Sequence, residues 1–241
     1  MLVNADVKGL EVVVAAELSG DKLLKQEIVN KEDTHQKNQD AFKLPTRIVA
    51  KRFKFKLLYG ASAYGYANDS DFTDVSRSQK YWQNVIDAYY EKYKGIKDWH
   101  ELLIETAQRT GRIEIPSGRF FPIAPLVNKW NGGMDWPITV IKNYPVQGFG
   151  ADLVMLARLE ARKRLRASGL EYSMVSTIHD SIVVDCPLLL VAEVGRILND
   201  SIEYVPTLCK QVFGYEFSLP LTSEVQYGPN KKDMKDLNGG T

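Results

Sequence analysis

Cysteine is nearly absent: Cys186 and Cys209 are the only two in 241 residues. Two thiols in a chain of this size build no disulfide framework, and a reducing compartment is the default. Long hydrophobic runs are missing as well; none approaches the roughly 20 residues that a membrane span needs. The start, Met1-Leu2-Val3-Asn4-Ala5-Asp6, lacks the basic opening and long apolar stretch of a signal peptide. There is no excess charge of one sign, the formal net charge being +1. Any basic surface must therefore be local, and composition alone does not announce a nucleic-acid binder. No repeat or low-complexity tract is visible. What is present is an ordinary globular mix, 44% hydrophobic and 25% charged. Disorder and coiled coil are poor readings of it, and the length suits one large domain or two modest ones.

Three kinds of segment alternate along the chain. Leu2 to Ala5 could form a short strand, and residues 10–18 read as a buried helix stopped by Ser19-Gly20. Residues 22–115 are mostly helical. They include a helix opening near Pro45 and another from about Ser76 to Tyr93, where Trp82, Val85, Ile86 and Tyr89 share one face. Residues 116–135, rich in Pro and Gly, read as loops and short strands. Helix returns at 137–167. Two apolar runs, Ser173–Ile178 and Ile182–Asp185, then flank His179-Asp180-Ser181 as a hairpin with a polar tip. Leu219 to Gln226 looks like a last strand. The pattern is one α/β domain with a helical insertion.

Arg47, Lys51, Phe55 and Tyr59 recur at every fourth position, followed by Gly60. Each step of four advances about 6 Å and turns about 40°, so all four lie on one broad face over roughly 18 Å. Two cations come first and two aromatic rings after them. A ligand with an anionic end and a flat end, such as a nucleoside triphosphate, has that shape. The cations also stand near the helix N-terminus, where backbone N–H groups and the macrodipole favour anions. The same residues could equally be basic side chains snorkelling over a Phe and Tyr core. Spacing alone leaves both readings open.

The combination of motifs resembles the family A DNA polymerases over nearly the whole chain. Arg47-x3-Lys51-x3-Phe55-x3-Tyr59-Gly60 is similar to the family's motif B, on the fingers O helix. Asp6-x4-Glu11 with Leu18-Ser19-Gly20-Asp21 resembles motif A, and Ile178-His179-Asp180 resembles motif C. Asp33-Thr34-His35, Asn143-Tyr144-Pro145-Val146-Gln147-Gly148 and Glu224-Val225-Gln226-Tyr227-Gly228-Pro229-Asn230 match three further family segments in order. The resemblance implies a polymerase palm with an antiparallel sheet and an inserted fingers subdomain. Residues 1–21 and 116–241 would form the palm and 22–115 the fingers.

Its implied chemistry is nucleotidyl transfer, in which two carboxylates bridge two metal ions about 3.5–4 Å apart. Asp6, Asp180 and the Val7 carbonyl would hold two Mg²⁺. Arg47 and Lys51 would hold the triphosphate, as a bidentate fork and a point charge, and Lys51 would protonate the leaving pyrophosphate. His35 would add a hydrogen bond to the phosphates. Phe55 would pack on the sugar, while Tyr59 and Glu11 would exclude a 2′-hydroxyl. Asn143 and Gln147 would read base-pair shape in the minor groove, His179 would meet the primer terminus, and Arg119 would touch the template backbone. The implied partners are primer–template DNA and deoxynucleoside triphosphates, in the cytoplasm of a bacterial or phage-infected cell. Arg52, Lys54 and Lys56 fall off the ligand face and read as solvated. The crowd Arg158, Arg162, Lys163, Arg164 and Arg166 reads as solvated or as a phosphate-backbone contact.

The pattern also departs from the family. Ser181 stands where these polymerases usually have Glu, as in the phage-type single-subunit RNA polymerases; Glu11 and Phe55 argue against that group. Val7-Lys8-Gly9-Leu10 replaces the usual Tyr-Ser-Gln-Ile, and Thr139 stands where Arg is common. These changes bear on DNA grip more than on chemistry. Only five residues precede Asp6, so the family's thumb and any exonuclease are expected on a separate polypeptide or in the rest of a longer chain, with a phage-like split gene in view. The alternative to an enzyme is a non-catalytic DNA- or partner-binding remnant.

Overall fold

A computed structural model describes residues 1–128 and 132–237. In chain order the elements are β1 (Leu2–Val7), α1 (Leu10–Ser19), α2 (Lys22–Val29), α3 (Thr34–Phe42), α4 (Arg47–Leu58), α5 (Ala63–Asn68), α6 (Gln79–Lys92), α7 (Lys94–Thr110), β2 (Arg112–Glu114), β3 (Phe120–Pro122), β4 (Leu126–Val127), β5 (Met134–Asp135), α8 (Ile138–Ser168), β6 (Ser173–Ile178), β7 (Ser181–Asp185), α9 (Val191–Glu203), α10 (Val205–Phe213), β8 (Ser223–Gly228) and β9 (Lys235–Asp236). This is the mixed α/β architecture expected. Of the loop and short-strand reading for 116–135, residues 129–131 lie outside the described residues. Two compact units emerge: Met1–Glu11 with Gly148–Thr241, and Val12–Gln147.

The first unit is built on a five-stranded antiparallel sheet in the order β6-β7-β1-β8-β9. The central β1 pairs with both β7 and β8. Side chains alternate across a strand, so Val3, Ala5 and Val7, all at most 2% exposed, share one face and Asn4 and Asp6 the other. Helix α9 packs against β1 and β8. A Cβ at its Gly195 would lie 2.2 Å from Leu237 Cδ2 and 3.2 Å from Val225 Cγ1, so glycine permits the close approach. In the β6–β7 hairpin, Met174 opposes Val184 and Ser176 opposes Val183, which leaves Val175 as the extra residue of a bulge. The last long strand begins at Ser223 rather than Leu219. Leu219 and Leu221 are buried core residues, and the proline between them cannot donate to a ladder.

The second unit is mainly helical. Helix α1 ends where Gly20 takes φ +64°, and Asp21 caps α2 by accepting from the Leu24 amide at 2.8 Å. Its core is aromatic: Phe53, Tyr66, Phe72 and Trp82 are almost wholly buried. Neighbouring rings lie 5.1–6.1 Å apart in stacked, tilted and edge-on contacts, geometries the ring quadrupoles favour. The Tyr66 hydroxyl donates to the Phe53 carbonyl at 2.7 Å. Phe53 thereby fixes the inner side of α4. Among the described residues no helix is long and apolar enough to cross a membrane.

Candidate active-site residues

The expected site residues fall into two groups, one on the sheet and one on the helices. On the sheet, Asp6 lies opposite Ser181 of β7 and Glu224 of β8. The Val7 amide donates to the Asp180 carbonyl at 3.0 Å, which ties the hairpin tip to β1. The Asp6 and Asp180 carboxyls lie within hydrogen-bonding reach of each other. Burial, then the Asp180 charge and hydrogen bond, then the Glu224 charge, push the Asp6 carboxyl up to about 6, with Lys231 opposing them. A divalent cation would relieve this crowding, and the donors are the hard oxygens that Mg²⁺ prefers. Among the described residues no three His, Cys, Asp or Glu side chains are grouped to hold a metal.

Around this pair the sheet brings in residues to which the sequence reading gave no chemical role. Glu224, on the terminal strand, is the cross-strand neighbour of Asp6 and is bridged by Lys8 at 3.2 Å. Lys231 donates to Asn4 Oδ1 at 2.7 Å. The departing Ser181 is 4% exposed and its hydroxyl donates to the Ile178 carbonyl at 3.0 Å, so it closes the hairpin. His179 is exposed at the first position of a two-residue loop with φ +57°. Glu11 is half-buried in the first turn of α1. In the other unit Arg119 is exposed just after the turn in which the Gly118 amide donates to the Ile115 carbonyl at 2.9 Å.

On the helices, Thr46 caps α4 by accepting from the Val49 amide. Arg47 and Lys51 are exposed and Phe55 is half-buried, while Tyr59 stands at the C-cap, one residue beyond the helix. Arg47 Nε donates to Asp33 Oδ2 at 2.6 Å. That bond, with the amides of Gln36 and His35, holds the Asp33 carboxyl down to about 2. Asp33 thus caps α3 and pairs with α4 at once. The His35 ring centroid lies 6.0 Å from that of Phe55, and its Nδ1 is buried without a hydrogen-bond partner. Burial first, then the Lys54 and Arg47 charges, push His35 down to about 4, so the ring is neutral at pH 7. Asn143 and Gln147 are half-buried, four residues apart on α8. Gln147 Nε2 donates to the Tyr59 hydroxyl at 2.7 Å, joining two residues that the sequence reading placed in separate roles. After Tyr59, Gly60 has φ +84°, and a Cβ there would meet the Thr139 Cα at 3.2 Å.

One reading is corrected. Lys54 is not a solvated charge: it is 0% exposed, and its Nζ donates to Thr34 Oγ1 at 2.6 Å. The cause lies in the helix period. Ala50, Phe53, Leu57 and Leu58 form the buried stripe of α4, and Lys54 falls in its middle. Arg52 and Lys56 stay partly exposed but are paired, with Asp71 and Asp69. In the basic crowd on α8, Arg164 donates to the buried Glu160 at 2.8 Å, which gives that arginine a packing role.

Comparison with solved structures identifies the architecture. The chain matches a structure described as the POL domain of Pol1 from M. smegmatis in complex with DNA primer-template and dNTP. The TM-score is 0.80 over 94% of this chain and 39% of that one, at 22% identity. The fold is that of a polymerase palm carrying a helical fingers insertion. The DNA polymerase family A model matches residues 1–233, and the chain belongs to that family. Among curated relatives, DNA polymerase I of Aquifex aeolicus (strain VF5) is 29% identical over 212 residues, covering 83% of this chain and 35% of that protein. The thermostable DNA polymerase I of Thermus aquaticus is 27% identical, covering 98% of this chain and 27% of that protein. The chain thus spans about a quarter to a third of the length of these relatives.

Proposed function

We propose that this chain is the palm and fingers portion of a DNA polymerase and carries out template-directed transfer of deoxynucleotides to a primer 3′-hydroxyl. Residues 1–21 and 116–241 act as palm and 22–115 as fingers. The observation that carries the reading is the close pair Asp6 and Asp180, one near the end of β1 and the other in the β6–β7 loop tied to it, with Asp6 driven toward protonation by its acidic surroundings. Asp6, Asp180 and the Val7 carbonyl would hold two Mg²⁺ ions, which when bound activate the 3′-hydroxyl and neutralise the phosphates.

The chain's own residues supply the remainder. The 3′-hydroxyl gives up its proton to solvent as its oxygen bonds to the α-phosphorus, the α–β bridging P–O bond breaks, and Lys51 donates a proton to the departing pyrophosphate. Arg47 grips the phosphates in a fork, and neutral His35 adds a hydrogen bond. Phe55 packs on the sugar, while Glu11 and Tyr59 reject a 2′-hydroxyl. Asn143 and Gln147 check base-pair shape, His179 meets the primer end and Arg119 the template backbone. The family match is to DNA polymerases, which favours this reading over a single-subunit RNA polymerase. A thumb on a separate polypeptide or in the rest of a longer chain is the expected partner, and the cytoplasm of a bacterial or phage-infected cell the expected setting.

The test is primer extension by the purified chain with Mg²⁺ and deoxynucleotides, beside Asp180→Ala. Extension by the parent and none by the variant is expected. Extension retained in Asp180→Ala overturns the metal assignment. Failure of the parent even with the thumb-containing region of a relative supplied in trans points to the remnant.

A further inference from the structure

Lys54 is the one fully buried lysine among the described residues. Its position is unusual in two ways. It lies three residues after Lys51, whose side of α4 is exposed, so one helix carries a cation on its surface and another in its core. Its Nζ also reaches across to Thr34, the first residue of α3, immediately before His35. The Asp33-Thr34-His35 turn is therefore fastened to α4 twice. Arg47 holds Asp33 from the solvent side and Lys54 holds Thr34 from the interior, two helical turns apart. His35, fixed between these fasteners, rests against Phe55.

We propose that Lys54 is a positioning residue for the triphosphate face of α4: it sets the Thr34-His35 turn from within and takes up a proton when an anion occupies Arg47 and Lys51. The inference rests on the reading of that face as a triphosphate site. The groups facing Lys54 are Glu27 from α2, Asp33 at the N-cap of α3, Lys92 from α6 and Lys51 from its own helix, with His35 sensing its charge from α3. Desolvation outweighs the Glu27 attraction and holds the ammonium at about 7, so at neutral pH the amine is divided between its two forms. An added anion nearby favours the charged form. Linkage then requires a proton to be absorbed with the ligand, and requires affinity to rise as pH falls from 8 to 6.

The experiment is calorimetric titration of the full chain with inorganic tripolyphosphate, in buffers of different ionisation enthalpy between pH 6 and 8.5. The parent is compared with Lys54→Met, Thr34→Val and Lys51→Ala. Met matches the lysine stem and suits an apolar interior, so Lys54→Met is expected to keep the parent's circular dichroism. At pH 7 the parent should take up roughly half a proton more per ligand than Lys54→Met, and should bind on the order of tenfold tighter. Thr34→Val, which leaves the amine but removes its acceptor, should weaken binding while keeping the proton uptake. Parent-like affinity and uptake in Lys54→Met overturn the inference and leave the triphosphate face standing. Parent-like affinity in Thr34→Val overturns the positioning role even if Lys54→Met does not fold. No binding by the parent, with Lys51→Ala unchanged from it, overturns the triphosphate face and the inference together.

Discussion

At the scale of single residues, Asp6 shows how crowded carboxylates conflict with stability. Its acid form is favoured in the fold, because burial and the Asp180 charge lift it to about 6 from the ordinary range near 4. The stability this contributes is fully present below about pH 4 and is lost as pH rises through about 6. Asp6→Asn removes the titration. In a chelating buffer at pH 7.5 the variant should melt above the parent, and at pH 4 the two should coincide; equal melting at both values counts against the crowding described. Added Mg²⁺ should raise the parent's melting temperature and leave the variant's unchanged. Neither Glu224 nor Lys54 was legible in this sense from the sequence. Glu224 meets Asp6 only through the register of β1 with β8, a pairing across more than 200 residues of chain. Lys54 did carry a signal, since it is four residues from both Ala50 and Leu58, but its charge argued for solvent against its position.

At the scale of elements, the β6–β7 hairpin turns through only two residues, His179 and Asp180. A two-residue loop needs a positive φ at its first central position when that turn matches the strand twist, and glycine meets the need most easily. Here His179 takes it at φ +57°, a conformation that costs a side chain roughly 1–2 kcal/mol. Strain of this kind concentrates at working sites. His179→Gly should therefore raise the melting temperature, by about 2–4 °C for each kcal/mol relieved, while weakening primer–template binding. Scanning calorimetry and fluorescence anisotropy read the two effects. A variant that melts no higher shows the turn to be unstrained. The hairpin was plain in the sequence because its apolar runs and polar tip are local. So were α4 and α6, whose caps and stripes lie within one segment. The terminal strand is legible but its start is not, because Leu219 and Leu221 carry an apolar signal for burial outside the ladder.

At the scale of the whole molecule, the net charge of +1 on 241 residues bears on the proposed binding of DNA. Grip that depends on phosphate contacts scales with the number of cations that reach the backbone. Several cations in this chain are already committed: Arg47 to Asp33, Arg52 to Asp71, Arg164 to Glu160. The chain alone should bind a primer–template weakly and lose little affinity between about 50 and 200 mM salt, as few neutralised phosphates require. Supplying the thumb-containing region of a relative should tighten binding and steepen the salt dependence. A steep slope from the chain alone would show that its basic helix α8 meets the DNA directly. The α/β architecture was legible because its motifs occur in a fixed order.

The bulge at Val175 has a consequence for the protein in solution. β6 is the outermost strand on its side of the sheet, and Val175 and Ile178 on it are more than half exposed. A straight edge bearing such side chains is a template onto which another chain can add a strand, the first step of edge-to-edge aggregation. The extra residue breaks the regular spacing of the amides and carbonyls along that edge and increases the local twist. An incoming strand then finds no continuous partner. A one-residue irregularity beside the hairpin that carries Asp180 thus also acts as a safeguard of solubility.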